Sequence, residues 1–580
     1  MKRLWRIAPH RRELIGAVAR DLGISAVTAQ ILVNRGLLDA DSARRFLDPQ
    51  LQALRPPETL PGCDDAAAML CEDIAAGRRI VVYGDYDADG ITATAILCKC
   101  LRLLGADVGY HIPSRLDDGY GLHPDTLRVL AQSGTKTVVT VDCGISAIAE
   151  AAVAQELGLR LIISDHHQAG ASLPQSAAIV HPRLAGRAAP FDCLSGAGTA
   201  FKLAWALAKR AGNGERASPA LKQFLVEAVG WAAIGTVADV VPLTDENRIL
   251  VHYGCTRSLP KATAPGLRRL MELAQSGNNN TDSEWLAFQL APRLNAVGRL
   301  GQAALAVELL LTERPERGAE LAQYIDELNR RRKSIEQGIY LKAVKQLKDR
   351  FDPESAPAFV LADFDWHQGV IGIVAGRLTE KYHRPTVLIA LSKTGSGEGV
   401  GSARGVPGLN LYQALSACGH RLRRYGGHEL AAGLTIDESQ IDAFRHEFCE
   451  YVREHFDLSQ HPPELHIDTE FPLSVFTLDV VRELERLAPF GMGNPRPLMC
   501  CENVEVEEKR VVGKDSRHVS LALRQHAAKL RGVAFGAAER IDDLVLGRPL
   551  DVAFRPKINE YNGRVSVQLE IVDWRLPEER

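Results

Sequence analysis

The residues best placed to do chemistry are the aspartates of Gly84-Asp85-Tyr86-Asp87-Ala88-Asp89-Gly90, three carboxylates at every second position. They follow an apolar run, residues 80–82, that reads as a buried strand, and precede residues 91–97, which read as the start of a helix. Carboxylates crowded onto one strand-to-helix turn repel each other by several kcal/mol at ~4 Å in partly buried surroundings. A bound divalent cation is the simplest compensation, because hard cations take carboxylate oxygens as ligands. A solvated acidic turn with one helix N-cap is the competing reading for such a motif taken alone.

Further clusters weigh against that plainer reading. Asp142-Cys143-Gly144 follows the apolar run 137–141, and Asp165-His166-His167 follows 161–163. Asp239 ends Trp231-Ala232-Ala233-Ile234-Gly235-Thr236-Val237-Ala238, which is apolar apart from the threonine. An aspartate in such surroundings must be paired, protonated or metal-bound. Two divalent ions about 3.5–4 Å apart could hold a phosphate, activate water and stabilise a leaving oxygen. The chemistry read from these residues is hydrolysis of a phosphodiester or a pyrophosphate.

The elements that must position them are short strands alternating with amphipathic segments. Strand-like runs lie at 80–82, 108–112, 137–141, 161–163 and 178–180, separated by helical patterns near 91–104, 123–132 and 146–157. Such alternation predicts an α/β domain with a mostly parallel, doubly wound sheet. Ligands bind such sheets beyond the carboxyl ends of the strands, where strand order reverses. The clusters Asp85-Asp87-Asp89, Asp142 and Asp165-His166-His167 fall at such ends; Asp239 arrives in a different context.

Before this unit, Val18, Leu22, Ile24, Val27, Ile31 and Leu32 recur at helical spacing, a helical preface broken by Phe46-Leu47-Asp48-Pro49. After Asp239 the pattern is helical to about 312. Within it, Ala291-Pro292-Arg293-Leu294-Asn295-Ala296-Val297-Gly298-Arg299 reads as a small-residue loop whose two arginines suit phosphate contact. Residues 315–350 predict one helix of roughly 50 Å, long enough to bridge two domains. A second α/β unit opens with strands at 358–361 and 386–390. In it Gly401-Ser402-Ala403-Arg404-Gly405 offers a hydroxyl, backbone N–H groups and a guanidinium, a candidate pocket for a terminal phosphate. Arg421, Arg423 and Arg424 precede Gly426-Gly427-His428, where glycines allow close backbone approach, and predict nucleic-acid contact. From about 462 alternating runs at 504–511, 519–523 and 565–571, with one helix near 476–487, predict a small barrel. Arg531, Phe535 and Tyr561 are its candidate base-stacking residues. The expected domains are 1–60, 61–314, a connecting helix 315–352, 353–461 and 462–580.

Bulk properties agree with this plan. At 580 residues the chain exceeds one core and calls for about three domains. A net charge of -3 excludes a uniformly basic nucleic-acid binder but leaves room for local basic grooves. Eleven cysteines without a Cys-x-x-Cys pair argue for a reducing compartment and against a zinc ribbon. With no apolar signal core and no run of membrane-spanning length, a soluble cytoplasmic protein is expected.

The motifs from Gly84 to Gly90, Asp142-Cys143-Gly144, Asp165-His166-His167 and Ala238-Asp239 occur in the order of the DHH phosphoesterase superfamily. Gly426-Gly427-His428 with Ala431-Ala432-Gly433 resembles the signature of its DHHA1 companion domain. Pro489-Phe490-Gly491-Met492-Gly493-Asn494-Pro495 and Asn34-Arg35-Gly36-Leu37 narrow the resemblance, over nearly the whole chain, to the single-strand-specific 5′-to-3′ DNA exonuclease branch. The resemblance makes the terminal barrel an OB-fold. It implies two Mn²⁺ or Mg²⁺ ions, with Asp87 and Asp89 on separate ions, Asp142 bridging, His166 and Asp239 completing the second, and water or Asp85 completing the first. His167 would contact the scissile phosphate or act as general acid, and Asp165 would orient a histidine. Arg115, Arg299, Ser402 and Arg404 would recognise the 5′-phosphate. Degradation to mononucleotides in recombination and repair follows from the same resemblance. The partners it implies are single-stranded DNA, with a single-strand-binding protein and a helicase as candidates, for a monomer with no membrane.

The chain departs from the pattern at Tyr83, where related pyrophosphatases carry a histidine four residues before the middle aspartate; one ion is therefore expected to lack an imidazole. Two rivals carry other expectations. A nano-RNase or cyclic-dinucleotide phosphodiesterase would resemble only the first two domains, and a non-catalytic replication scaffold would have lost its aspartates.

Overall fold

The computed structural model describes residues 3–116, 118–184, 186–212, 218–275, 281–353, 355–392, 397–457, 460–561 and 563–579. The chain forms two compact units. One comprises Arg55–Val241 and Gly254–Pro463; the other comprises Arg3–Leu54, Pro242–Tyr253 and Glu464–Arg580.

The first unit opens on a sheet of β1 (Ile80–Tyr83), β2 (Val108–His111), β3 (Thr137–Val141), β4 (Arg160–Ser164) and β5 (Ala178–Val180). Their order is β2-β1-β3-β4-β5 and every pairing is parallel. Strand order therefore reverses between β1 and β3, which opens a crevice at their carboxyl ends. β1 and β3 are buried throughout, as expected of a parallel sheet covered on both faces. Helix α1 (Ala88–Leu103) packs against α2 (Gly196–Ala211) and α3 (Pro219–Ala238), and all three are strongly apolar along their contacts.

The segment expected as an arginine-bearing loop is instead helix α4 (Ala291–Arg299). Its proline lies in the first turn, where a missing N–H costs nothing. Arg293 turns inward, its Nε donating to Asp326 Oδ1 at 2.9 Å, so only Arg299 of the pair is left for a ligand. Asp326 lies on α5 (Pro315–Arg350), a helix of 36 residues spanning about 54 Å. Its first half buries Leu321, Ile325 and Leu328, and its second half buries Ile339, Ala343 and Leu347 in the core of the next sheet.

That second sheet contains β6 (Phe359–Asp363), β7 (Thr386–Leu391), β8 (Glu398–Arg404), β9 (Leu422–Gly427) and β10 (Ala431–Asp437), in the order β9-β10-β8-β7-β6. Only β6 and β7 pair in parallel. The arginine run precedes and enters β9. Arg421 pairs with Glu447 at 2.8 Å and Arg423 with Asp437 at 2.5 Å. Two of the three arginines are thus neutralised within the domain.

The second unit is a barrel of β11 (Met499–Val512), β12 (His518–Gln525), β13 (Ala528–Ala534), β14 (Pro549–Tyr561) and β15 (Arg564–Arg575). Pairing runs β11-β12-β13-β15-β14, and β14 returns to β11, which closes it. The helical preface shares its core: Ile15, Val27, Ile31 and Leu47 lie in one apolar cluster with Val504, Leu521, Phe554 and Ile571. Leu4–Ile7 also pairs in parallel with Glu464–Ile467. The helices within residues 3–54, part of the preface expected over 1–60, therefore share the core of the barrel, since three short helices bury too little apolar surface for one of their own. No single helix among the described residues is long and apolar enough to cross a membrane.

Helix Asp245–Tyr253 joins this unit through Arg248. The guanidinium lies 3.7 Å from the centre of the Phe46 ring and donates to the carbonyls of Phe46, Leu487 and Ala488 at 2.8, 3.0 and 2.7 Å. Arg248→Met keeps the volume but strands these carbonyls, and should destabilise the full chain by ~3 kcal/mol in denaturant unfolding. A loss below ~0.5 kcal/mol would mean that water replaces the guanidinium at no cost.

Candidate active site

The acidic loop begins where β1 ends. Asp87 caps α1, its Oδ1 accepting from the N–H groups of Asp89 and Gly90 at 2.9 and 3.1 Å. The Ala88 N–H donates to Asn295 Oδ1 on α4 at 2.8 Å, across 207 positions of sequence. α4 approaches so closely that a Cβ at Gly298 would come within 2.1 Å of the Tyr86 carbonyl oxygen. Asp89 is fully buried and points at the start of α2, where Oδ2 accepts from Gly196 N at 2.6 Å and Oδ1 from Ala197 N at 2.9 Å. Helix N-termini stabilise anions in this way. A Cβ at Gly235 of α3 would lie 2.3 Å from Asp89 Oδ1, so a side chain there is excluded by the carboxylate.

Asp142 follows β3 with φ 63°, a left-handed conformation that turns its carboxylate into the crevice. Tyr120 Oη donates to the Asp142 carbonyl at 3.2 Å. His166 Nε2 stands 3.1 Å from Asp142 Oδ1, 3.5 Å from Asp239 Oδ2 and 3.8 Å from Asp89 Oδ2. These atoms are near but not hydrogen-bonded: Asp85 Oδ1, Asp142 Oδ1 and both ring nitrogens of His166 are buried without a partner. Three overlapping sets bring one ligand atom per residue within 4.8 Å of each other: Asp85, Asp87 and Asp142; Asp89, His166 and Asp239; Asp142, His166 and His167. Asp142 belongs to two of them and lies at the middle of the row.

The protonation balance records the same crowding. Burial, and then the charge of Asp87, raises Asp85 well above the ordinary carboxylate range. Burial followed by Asp89 does the same to Asp142. Asp89 is pushed up to about 7 by burial and then Asp87, and Asp239 to about 8 by burial and then Asp89. Burial and the neighbouring His167 lower His166 to about 3, so it is a neutral imidazole with one nitrogen lone pair free to bind a cation. Orphaned carboxylate oxygens beside an unpaired neutral imidazole fit divalent cations, and a hard, oxygen-rich set with imidazole suits Mn²⁺ or Mg²⁺.

Asp165 and His167 form a different arrangement. Asp165 Oδ1 accepts from the backbone N–H groups of His166 and His167 and meets His167 Nδ1 at 2.8 Å; Oδ2 accepts from Ile145 N at 2.9 Å. Burial opposes ionisation of Asp165, but the His167 contact outweighs it and holds the acid at about 2. Burial likewise opposes charge on His167, and Asp165 overrides it, raising the imidazole to about 9. His167 is therefore a cation whose Nδ1 is engaged by Asp165. It lines a cavity of about 370 Å³ with Tyr120, Glu150, Gln168 and His428. Gly426 and Gly427, at the exposed end of β9, offer only backbone.

Tyr83, in the expected histidine position, is fully buried against the His111 ring, and its hydroxyl donates to the Gly121 carbonyl at 3.1 Å. It belongs to the core of the sheet. A second group of like charges gathers nearby. The Arg115 guanidinium lies over the Tyr86 ring at 5.1 Å, and Arg299 donates to the Gly369 carbonyl at 3.1 Å. Arg404 donates to Ser402 Oγ at 3.1 Å. Burial, then repulsion from Arg115, Arg332 and Arg404, lowers Arg299 to about 10. Burial and then Arg115 lower Arg404 as well. Arg115, Arg299, Ser402 and Arg404, expected from distant segments, thus converge on one electropositive pocket, while Arg332 beside them is paired with Glu336 at 2.6 Å. Sequence reasoning missed Asn295, Tyr120 and Arg332. Asn295 and Tyr120 carry no local signal of the contacts they make with distant segments.

Carboxylates and an imidazole at the switch point of a parallel sheet, coupled to a second α/β domain, define a DHH phosphoesterase. Models of the DHH family N-terminal domain, the DHHA1 domain and the RecJ OB domain match residues 79–230, 355–454 and 467–573. The single-stranded-DNA-specific exonuclease RecJ of Bacillus subtilis is 36% identical over 100% of this chain and 71% of its own length. That of Escherichia coli is 33% identical over 97% of this chain and 98% of its own length. The crystal structure of RecJ in complex with Mn²⁺ from Thermus thermophilus superposes with a TM-score of 0.84 at 34% identity, over 99% of this chain and 80% of that one. The Mg²⁺ complex of the same protein gives 0.78 at 33% identity, over 99% and 78%. The chain belongs to the RecJ family.

The raised carboxylates fix the sign of a pH effect. Their protonated forms are favoured by the metal-free fold, so the stability they contribute is present at low pH and lost as pH rises through about 7 to 8. The metal-free protein should melt at progressively lower temperature between about pH 5 and about pH 8, and Mn²⁺ should reverse the loss with proton release. Calorimetric titration in buffers of different ionisation enthalpy measures that release; Mn²⁺ binding without it at about pH 6 would show that the carboxylates are already ionised.

Proposed function

We propose that this protein hydrolyses single-stranded DNA from the 5′ end, releasing mononucleotides, with two Mn²⁺ or Mg²⁺ ions held by Asp85, Asp87, Asp89, Asp142, His166 and Asp239. The observation that carries this reading is the pairing of two like-charge clusters within one unit, a largely buried carboxylate row and a half-buried arginine pocket. The first calls for cations and the second for an anion. A strand end supplies the anion twice, as a terminal phosphate and as the scissile phosphate.

In this reading Arg115, Arg299 and Arg404, with Ser402 Oγ, hold the 5′-phosphate and so set the direction of digestion. When bound, the ions supply charge neutralisation at the scissile phosphate and lower the pKa of the attacking water. Asp142, shared by two ligand sets, fixes the spacing of the two positions. His167, held charged by Asp165, donates to a phosphate oxygen and can pass its Nε2 proton to the leaving 3′-oxygen. The 370 Å³ cavity between His167 and His428 gives the chain around the scissile bond a place to lie. On the barrel, Arg531 and the exposed Phe535, 63% accessible, are the candidate stacking residues for single-stranded DNA; the Tyr561 side chain lies outside the described residues. The enzyme would act as a cytoplasmic monomer in recombination and repair. A helicase and a single-strand-binding protein would present its substrate.

Asp142→Ala should lower turnover by several orders of magnitude at saturating Mn²⁺ while the fold persists by circular dichroism. Near-parental turnover would remove Asp142 from the metal site. Arg404→Ala should raise KM chiefly for 5′-phosphorylated strands, by the ~1.5–3 kcal/mol of a charge-assisted contact. Equal losses on 5′-phosphate and 5′-hydroxyl strands would assign the arginine to another contact.

A further inference from the structure

Helix α3 ends at Asp239, and the next residue, Val240, adopts φ 62° with its N–H on the Val237 carbonyl at 3.3 Å. A left-handed residue after the last helical turn is a common way to stop a helix, but the residue that takes the position without strain is glycine. For a β-branched side chain the conformation is a steric outlier. Burial of the isopropyl group does not offset that strain, because Val240 is 61% exposed. The chain therefore holds a branched apolar group in a costly conformation, facing solvent, immediately after a residue of the metal cluster.

Its place along the row indicates what it meets. The arginine pocket adjoins the Asp85–Asp87 end, since Arg115 covers Tyr86 and the helix bearing Arg299 abuts the Tyr86 carbonyl. Asp239 belongs to the other set, with Asp89 and His166. A strand with its 5′-phosphate in the arginines and its first internal phosphate over the carboxylates continues past Asp239. We propose that Val240 is a positioning residue whose isopropyl group contacts the base of the second nucleotide, steadying the scissile phosphate. This rests on the exonuclease reading above.

The test uses the full chain with Mn²⁺ and single-turnover release of a labelled 5′-terminal nucleotide. Two 5′-phosphorylated strands are compared, one intact and one abasic at the second position. Val240→Gly relieves the backbone strain and removes the side chain. It should raise the melting temperature yet cut the release rate on the intact strand about tenfold, while parent and variant act alike on the abasic strand. Val240→Ile, which keeps an apolar branched group, should release the intact strand at the parental rate. Equal rates of parent and Val240→Gly on the intact strand overturn the proposal. So does the same tenfold loss on both strands, or a lowered melting temperature with losses on both, which would mark Val240 as structural. A parent chain that digests neither strand overturns the exonuclease reading, and this proposal with it.

Discussion

The architecture of the first unit answers one electrostatic problem, the confinement of Asp85, Asp87, Asp89, Asp142 and Asp239 within a few ångströms in a largely dry crevice. Like charges at such separations repel strongly where water is excluded. The backbone takes up part of the load. Asp87 caps α1, Asp89 receives two N–H groups at the start of α2, and Asp239 closes α3. These contacts fix where the carboxylates stand but do not neutralise them. The remaining crowding, at oxygens and ring nitrogens that no protein group meets, is left for cations to relieve.

The same logic explains how the helices are arranged. α4 has no ligand of its own, yet Asn295 holds the Ala88 N–H and Gly298 lets the helix touch the Tyr86 carbonyl. Through Arg293 and Asp326 that helix is fixed to α5, whose far half supports the second sheet. A change in α5 would therefore reach the acidic loop and the arginine pocket together. Acid on one side and base on the other give the crevice a direction, which a symmetric cluster of metal ligands alone could not.

Much of this was legible in the chain because the information is local. Five strand-like runs, the helices between them and the long helix over 315–350 each carry their own periodicity, and all appear in the structure within a few residues. The aspartate motifs were legible for the same reason: burying so many acids has few explanations other than metal. Where reading failed, tertiary contacts decided. Residues 291–299 looked like a loop because small residues and proline are common in loops, whereas packing against the acidic motif and α5 makes them helical. Arg293 was indistinguishable from Arg299 by type, although one neutralises Asp326 and the other joins the pocket.

Sequence alone determined which side chains could bind metal and which strand ends would carry them, since composition and a period of two or 3.6 residues are properties of a few consecutive positions. Only the tertiary structure decided that Tyr83 serves the core, and that Asp165 pairs with His167 while His166 stays unpaired. It alone gathered Arg115, Arg299 and Arg404 from distant segments, and joined the amino-terminal helices to the carboxy-terminal barrel in one core. Each of those outcomes depends on which distant surface a residue meets. That is set by the burial of whole faces and by close approach at positions such as Gly235 and Gly298, not by neighbours in the chain.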